Sequence, residues 1–400
     1  MPGYELIGEE EKREIMDVLD TGVLFRYEFL DQRRGVFKVR QFEERFAAYC
    51  GAGHAQAVTS GTAALKVALS ALGIGPGDEV ITQGFTFVAT WEAILEVGAE
   101  PVFTEVDETL NMDPADLRRK ITARTKCIVP VHMLGAQARI AEIMAIADEH
   151  GLPVLEDTAQ ATGARIGGRH LCTFGRCGTF SFDPVKTLTT GEGGMIITND
   201  EGLWRAMSEY HDHGHDHQVN PGGRGGEGRS FIGSNYRMME LQGAIGLAQL
   251  VKVDGMIAAQ KGHKNRLREA AMAIPGVGFR QLVDQAGDSA THFAFFLRDR
   301  EHCQRVNEVL RQEGAGAINF SENTWHYYAR WEHLLGGKTL ASSGYPFFEP
   351  GGRRRLLYDP QALPQTAALL QRTLVYPVSI RMSEEKLAQM CRALQLAAKA

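Results

Sequence analysis

Four hundred residues, 44% of them hydrophobic and 23% charged, are enough for two or three domains with a sizeable core. The net charge of -6 argues against a nucleic-acid polyanion as partner, because such binding is mainly cationic. No apolar run approaches the roughly 20 residues a membrane span needs, and the opening MPGYELIGEEEKREI lacks the apolar core of a signal peptide. The six cysteines are sparse, and only Cys172 and Cys177 lie close together, with no second pair to complete a zinc tetrad. Free thiols in a reducing cytoplasm are the expectation.

Along the chain, apolar β-branched runs at EVITQ (79–83), PVFTEV (101–106), CIVPVHM (127–133), LPVLED (152–157), GTFSF (178–182) and GMIIT (194–198) read as strands. Helical patterns separate the first four: TWEAILEV, PADLRRKI and RIAEIMAIADEHG. In the last, Ile140, Ile143, Met144 and Ala147 fall on one helix face. Strands alternating with helices predict an α/β domain on a mostly parallel sheet, with chemistry gathered at the carboxyl ends of the strands. Residues 237–272 read as one long helix or two abutting ones. A strand at 292–298 and helices near 301–313 and 384–398, the last capped by Ser383, predict a smaller α+β C-terminal domain. The expected division is an N-terminal arm and large domain over 1–255 and the smaller domain over 256–400. Residues 315–375 carry many aromatics, prolines and glycines and give no assignment. The cluster Arg353 to Arg355 reads as solvated loop.

Three segments carry chemistry. TSGTAALKVALSAL (59–72) opens a helix whose free N–H groups and dipole suit an anion, with Gly61 letting a ligand approach the backbone. Ordinary capping by Ser60 or Thr62 is the alternative there. LPVLEDTAQA ends an apolar strand with Glu156 and Asp157. A carboxylate in that position is a cap, an ion-pair member or an acceptor for a protonated ring nitrogen. In TFSFDPVKTLTTGEGGMIITN, Pro184 breaks a strand, and Lys186 sits in the turn before a glycine-rich return. A lone loop lysine is ordinarily solvated, but one at the edge of a parallel sheet is placed for Schiff-base chemistry.

TSGTAAL, TFVAT, PVH, EDTAQA, SFDPVKTLTTGEGG and GSNYRMMELQGAIGLAQL together resemble, in order and spacing, the DegT/DnrJ/EryC1/StrS family of sugar aminotransferases. The resemblance is clearest over about residues 35–250, and the region after about 335 departs most from it. It implies the pyridoxal-phosphate transferase fold type I, with pyridoxal 5'-phosphate as cofactor. By the same resemblance Lys186 is the Schiff-base lysine and proton carrier, and Asp157 is the partner of the ring nitrogen. Gln160 lies near the ring hydroxyl, Phe87 stacks on the ring, and Gly61, Thr62 and Ser181 hold the phosphate. Asn235 reaches the phosphate of a neighbouring subunit's cofactor, which implies a homodimer with shared active sites. Sugar 3-dehydratases of the family carry histidine in place of the lysine, so Lys186 points to transamination. The segments TGVLFRYEF, DHGHDH and TWHYYARW further resemble the narrower branch of 8-amino-3,8-dideoxy-manno-octulosonate transaminases. That branch implies glutamate as donor and the C8 aldehyde of 8-oxo-3-deoxy-manno-octulosonate, a step in lipopolysaccharide sugar synthesis, as acceptor. A nucleotide-linked 4-keto-6-deoxyhexose is the alternative acceptor.

The run HDHGHDHQVNPGGRGGEGRS (211–230) stays open between three readings. It is a metal-binding loop, a solvated connection, or a mobile loop that contacts substrate. The third reading makes Arg26, His215, His217 and Arg229, with Arg224 beside them, donors to the sugar, and lets Gly222, Gly223, Gly225, Gly226 and Gly228 provide the mobility. A regulatory module that kept the fold without the chemistry is the remaining alternative.

Overall fold

The computed structural model describes residues 3–217, 228–349, 352, 353 and 355–399. Its large sheet is built from β1 (His54–Val58), β2 (Glu79–Gln83), β3 (Glu100–Thr104), β4 (Thr125–Ile128), β5 (Leu155–Asp157), β6 (Cys177–Ser181) and β7 (Gly194–Thr198). β2 pairs in parallel with β3 and β4, and β5 with β6. Parallel bridges from Ile128 to Val154 and from Val131 to Asp157 stitch β4 to β5, giving the order β3-β2-β4-β5-β6-β7-β1. The expected parallel sheet has one exception, because β7 runs antiparallel to both neighbours. The link from Ser181 to Gly194 forms no helix to carry the chain over a sheet face, so it returns as a wide hairpin with Ser181 opposite Gly194.

Helices cover both faces, which is why these strands are apolar throughout rather than alternating. On one face Ala64, Leu65, Ala68 and Leu69 of the helix Gly61–Ala71 pack on Val58, Val80, Leu155 and Ile196. On the other, Val39, Phe42 and Phe46 of the helix Lys38–Cys50 meet Phe180, Phe182 and Met195. Truncating any one of these phenylalanines to alanine costs about 3–5 kcal/mol.

The 237–272 segment is two helices, Glu240–Leu250 and Val253–Ala271, and the expected boundary at 255 falls inside the second. Beyond it, strands Gly278–Phe279, His292–Phe296 and Thr373–Pro377 form an antiparallel sheet. Alternation divides its side chains. Phe293 and Phe295 face the helices Arg300–Gln312 and Glu384–Leu396. Ala294 and Phe296 turn toward Phe85, Trp91 and Phe103 of the large-sheet region. The unassigned 315–375 stretch fills that seam: Phe320, Tyr327, Tyr328 and Trp331 are buried there. Ser383 caps the last helix as expected, accepting from the Lys386 N–H at 3.1 Å. Among the described residues no helix is long and apolar enough to cross a membrane. Arg354, Arg224 and the glycines 222, 223, 225 and 226 lie outside the described residues.

Candidate active site

Strand alternation separates the two acidic residues that end β5. Glu156 turns away from the cavity described below and accepts from the N–H groups of Cys172 (2.9 Å), Phe174 (2.8 Å) and Gly175 (2.7 Å). Its remaining neighbour is His132, whose Nδ1 accepts from the Ala138 N–H at 3.0 Å, leaving Nε2–H to donate to Glu156 at 3.1 Å. Glu156 is an anchor for the 172–175 turn. Asp157 faces the other way, into a cavity of about 740 Å³ at the carboxyl ends of β5 and β6. There it accepts from Thr90 Oγ1 at 2.9 Å and the Ala159 N–H at 3.0 Å. Burial raises its pKa, partly offset by these donors and the Lys186 charge.

Lys186 lies on the wall of the same cavity, its N–H donating to the Asp183 carbonyl at 3.0 Å in the turn that Pro184 starts. Burial lowers the pKa of its amine against the opposing pull of Asp183 and Asp157. Nζ stands 5.9 Å from the centroid of the Phe87 ring, and that ring stacks parallel to Trp325 at 5.8 Å. Gln160 gives its Oε1 to the Leu134 N–H (3.0 Å), which leaves its NH₂ as a donor.

At the start of the helix Gly61–Ala71 the capping and anion readings prove compatible. Ser60 Oγ accepts from the Ala63 N–H at 3.0 Å, while the first N–H groups have no acceptor within the helix. A Cβ on Gly61 would lie 2.7 Å from Ser181 Cβ, and one on Gly194 would lie 2.3 Å from the Ser60 carbonyl oxygen. Only glycines let these three chain segments close into a cradle. Gly61, Thr62 and Ser181 all line the cavity with Phe87, Asp157, Gln160 and Lys186. A buried carboxylate, an anion cradle, an amine and an aromatic ring lining one cavity fit a phosphorylated pyridine aldehyde.

The structure also puts residues here that the sequence reading passed over. Thr90 sits three positions after Phe87, one helical step along the same face, so spacing within TFVAT could have found it. His292, Asn323, Trp325 and His326 come from the C-terminal part: His292 opens the strand expected at 292–298, and no periodicity in 315–375 signals the other three.

The other expected contacts lie elsewhere in this chain. Asn235 is exposed, and it is bridged to Asp212 rather than placed in the cavity. Arg26 does not reach the cavity, because Glu43 holds its Nη2 at 3.0 Å from both carboxylate oxygens and the Ala57 carbonyl accepts from Nη1 at 3.3 Å. His215 and His217 are likewise turned inward, onto Asp212. His215 Nδ1 lies 2.6 Å from the Asp212 carbonyl, and His217 Nε2 lies 3.3 Å from Asp212 Oδ2. Arg237 pairs with the same carboxylate. His217 also stacks on Tyr27 at 4.3 Å, and the Tyr27 hydroxyl lies 3.2 Å from His211 Nε2. Arg229 is exposed, its backbone bridged to His215. Residues 211–217 are thus a folded polar knot rather than a mobile surface loop. Among the described residues, no three His, Cys, Asp or Glu side chains converge as a metal's ligands would.

Comparison with known proteins agrees with this geometry. The spore coat polysaccharide biosynthesis protein SpsC of Bacillus subtilis (strain 168) is 42% identical over 292 residues, 72% of each chain. The GDP-perosamine synthase of Caulobacter vibrioides is 46% identical over 222 residues, 55% of this chain and 58% of its own. The crystal structure of an aminotransferase from Psychrobacter cryohalolentis superposes with a TM-score of 0.80 at 29% identity, covering 97% of this chain and 96% of that one. The DegT/DnrJ/EryC1/StrS aminotransferase family matches residues 6–342. With its lysine, aspartate and anion cradle in one cavity, the chain belongs to that family of pyridoxal-phosphate-dependent sugar aminotransferases.

Proposed function

We propose that the chain transfers an amino group from glutamate to the keto carbon of a nucleotide-linked 4-keto-6-deoxyhexose. The observation that carries this reading is the chemistry of the cavity wall. It combines hydroxyls, amides and imidazoles with aromatic and aliphatic side chains and the carboxylates of Asp157, Asp183 and Glu192, and Lys186 is its one Lys or Arg among the described residues. Such a wall suits the hydroxylated hexose ring at which a nucleotide-linked keto sugar would react. Arg26 and Arg229, expected from the sequence to face the substrate, lie outside the cavity. The likeness to a GDP-perosamine synthase supports the same choice.

Bound pyridoxal phosphate supplies the electron-withdrawing ring and the carbonyl carbon on which the amino group is carried. Asp157 would hold the ring nitrogen protonated, and the Gly61–Thr62–Ser181 cradle would hold the phosphate. Lys186, its amine readily deprotonated, is the nucleophile toward the cofactor and moves the proton at the reacting substrate carbon. A second copy of the chain completes the site through Asn235. Ile232, 92% exposed, and Phe231 flank that residue and suit a covered face.

The test loads the holoenzyme with glutamate, then mixes it with a nucleotide-linked 4-keto-6-deoxyhexose, 8-oxo-3-deoxy-manno-octulosonate or an inosose. The readout is return of the visible absorbance. Return with the nucleotide sugar is expected, and return with octulosonate alone would replace this reading with the narrower one.

A further inference from the structure

His326 is mounted at the cavity by contacts that leave its ring little freedom. Its carbonyl accepts from the Thr86 N–H at 3.0 Å, and the Trp325 carbonyl accepts from the Val88 N–H at 3.0 Å. The 325–326 backbone is thereby tied to the start of the helix Val88–Glu96. The ring packs edge-on against Phe320 (5.4 Å, 80°) and tilted against Phe87 (5.4 Å, 55°).

Asn323 fixes which ring nitrogen carries the proton. Its Oδ1 accepts from the backbone N–H groups of Trp325 and His326, both at 2.9 Å, so this atom is the oxygen and the amide orientation is set. His326 Nδ1 lies 3.0 Å from the same oxygen and must donate to it. In the neutral imidazole Nε2 is then a bare acceptor, and no described residue hydrogen-bonds to it. Burial first, and the Lys186 charge second, pull the pKa down to about 4, which keeps the ring neutral at physiological pH.

Lys186 Nζ and His326 stand around one ring, that of Phe87. Both side chains line the cavity in which the substrate's reacting end would lie. We propose that His326 Nε2 accepts a hydrogen bond from the sugar hydroxyl adjacent to the reacting carbonyl, and so selects hydroxylated over deoxygenated acceptors. This rests on the sugar-acceptor reading above and adds a specificity-determining residue to it. A bare acceptor rejects a neighbouring carbonyl or carboxylate oxygen and favours O–H, which is the chemistry of a keto sugar flanked by an alcohol.

Two measurements test it. Imidazole ¹⁵N spectra of the holoenzyme, with His326 assigned by its loss in His326→Phe, are expected to show the Nδ1–H tautomer at neutral pH. An Nε2–H or doubly protonated ring would overturn the proposal. The second compares a nucleotide-linked 4-keto-6-deoxyhexose with its 3-deoxy congener. His326→Phe keeps the ring packing and removes the acceptor. Its kcat/KM should fall about 5- to 15-fold on the hydroxylated sugar and by less than about twofold on the deoxy one. His326→Gln should recover part of the difference. Equal losses on both sugars would reduce His326 to a packing residue and leave the sugar reading intact. Failure of the wild-type enzyme to aminate either sugar would instead overturn the sugar reading, and this inference with it.

Discussion

Asp157 and Asp212 are both buried carboxylates on loop-facing ends of the large domain, and their surroundings push them in opposite directions. Asp157 receives two hydrogen bonds and faces open cavity, so burial dominates and its pKa rises. Burial would raise Asp212 too, but His217, Arg237 and His211 together outweigh it and hold the carboxyl well below its usual range. Among the described residues Asp157 forms no ion pair, although the Lys186 charge offsets part of its burial, whereas Asp212 has its cations already. Unspent electrostatic demand marks the reactive site, and a closed ion-pair network marks a structural joint. By that criterion the histidine-rich run, the most conspicuous polar stretch in the sequence, is architecture within its own chain.

Substitutions that erase the demand should cost most. Lys186→Ala should abolish the visible absorbance of bound cofactor and lower transamination by about a thousandfold or more, read by single-turnover kinetics with glutamate. Retention of the absorbance would remove Lys186 from its role. Asp157→Asn keeps shape and loses charge. It should slow the donor half-reaction by about a hundredfold while the cofactor stays bound. A change of less than threefold would mean that Asp157 is merely another structural carboxylate, and the contrast with Asp212 would fall.

How much of this was legible beforehand depended on whether a signal was local. Six strands, their intervening helices and the Ser383 cap follow from periodicity and capping chemistry, and the structure has them. Lys186, Asp157 and the Gly61 cradle were visible because each lies where a strand or helix of recognisable pattern ends. β7's direction was not, since an antiparallel return and a parallel crossover share the same apolar strand code. His326 and the aromatics of 315–375 were illegible because their partners, Phe87, Trp91 and Phe103, lie more than two hundred residues upstream. The HDHGHDH run stayed open for a related reason. Its histidines looked free because Tyr27 and Arg237, which help to occupy them and their aspartate, are remote from it or carry no local pattern.

Asp212→Asn gives the smallest effect on chemistry and the sharpest test of the comparison. Removing the charge leaves Arg237 at most an amide oxygen in place of its carboxylate, and losing a largely buried ion pair of this kind costs up to about 3 kcal/mol of stability, measured by urea unfolding at neutral pH. The donor half-reaction should still run near the wild-type rate at temperatures where the variant is folded. A selective loss of acceptor turnover with unchanged stability would instead return residues 211–217 to the substrate. Acid sharpens the point. Because the folded pKa of Asp212 lies below its unfolded value of about 3.9, its contribution is fully present above about pH 5 and is lost as pH falls below about 4. The gap between wild type and variant should therefore narrow as pH is lowered from 5 toward 3. A gap that stays constant over that range would show that the charge of Asp212 does not hold the knot together.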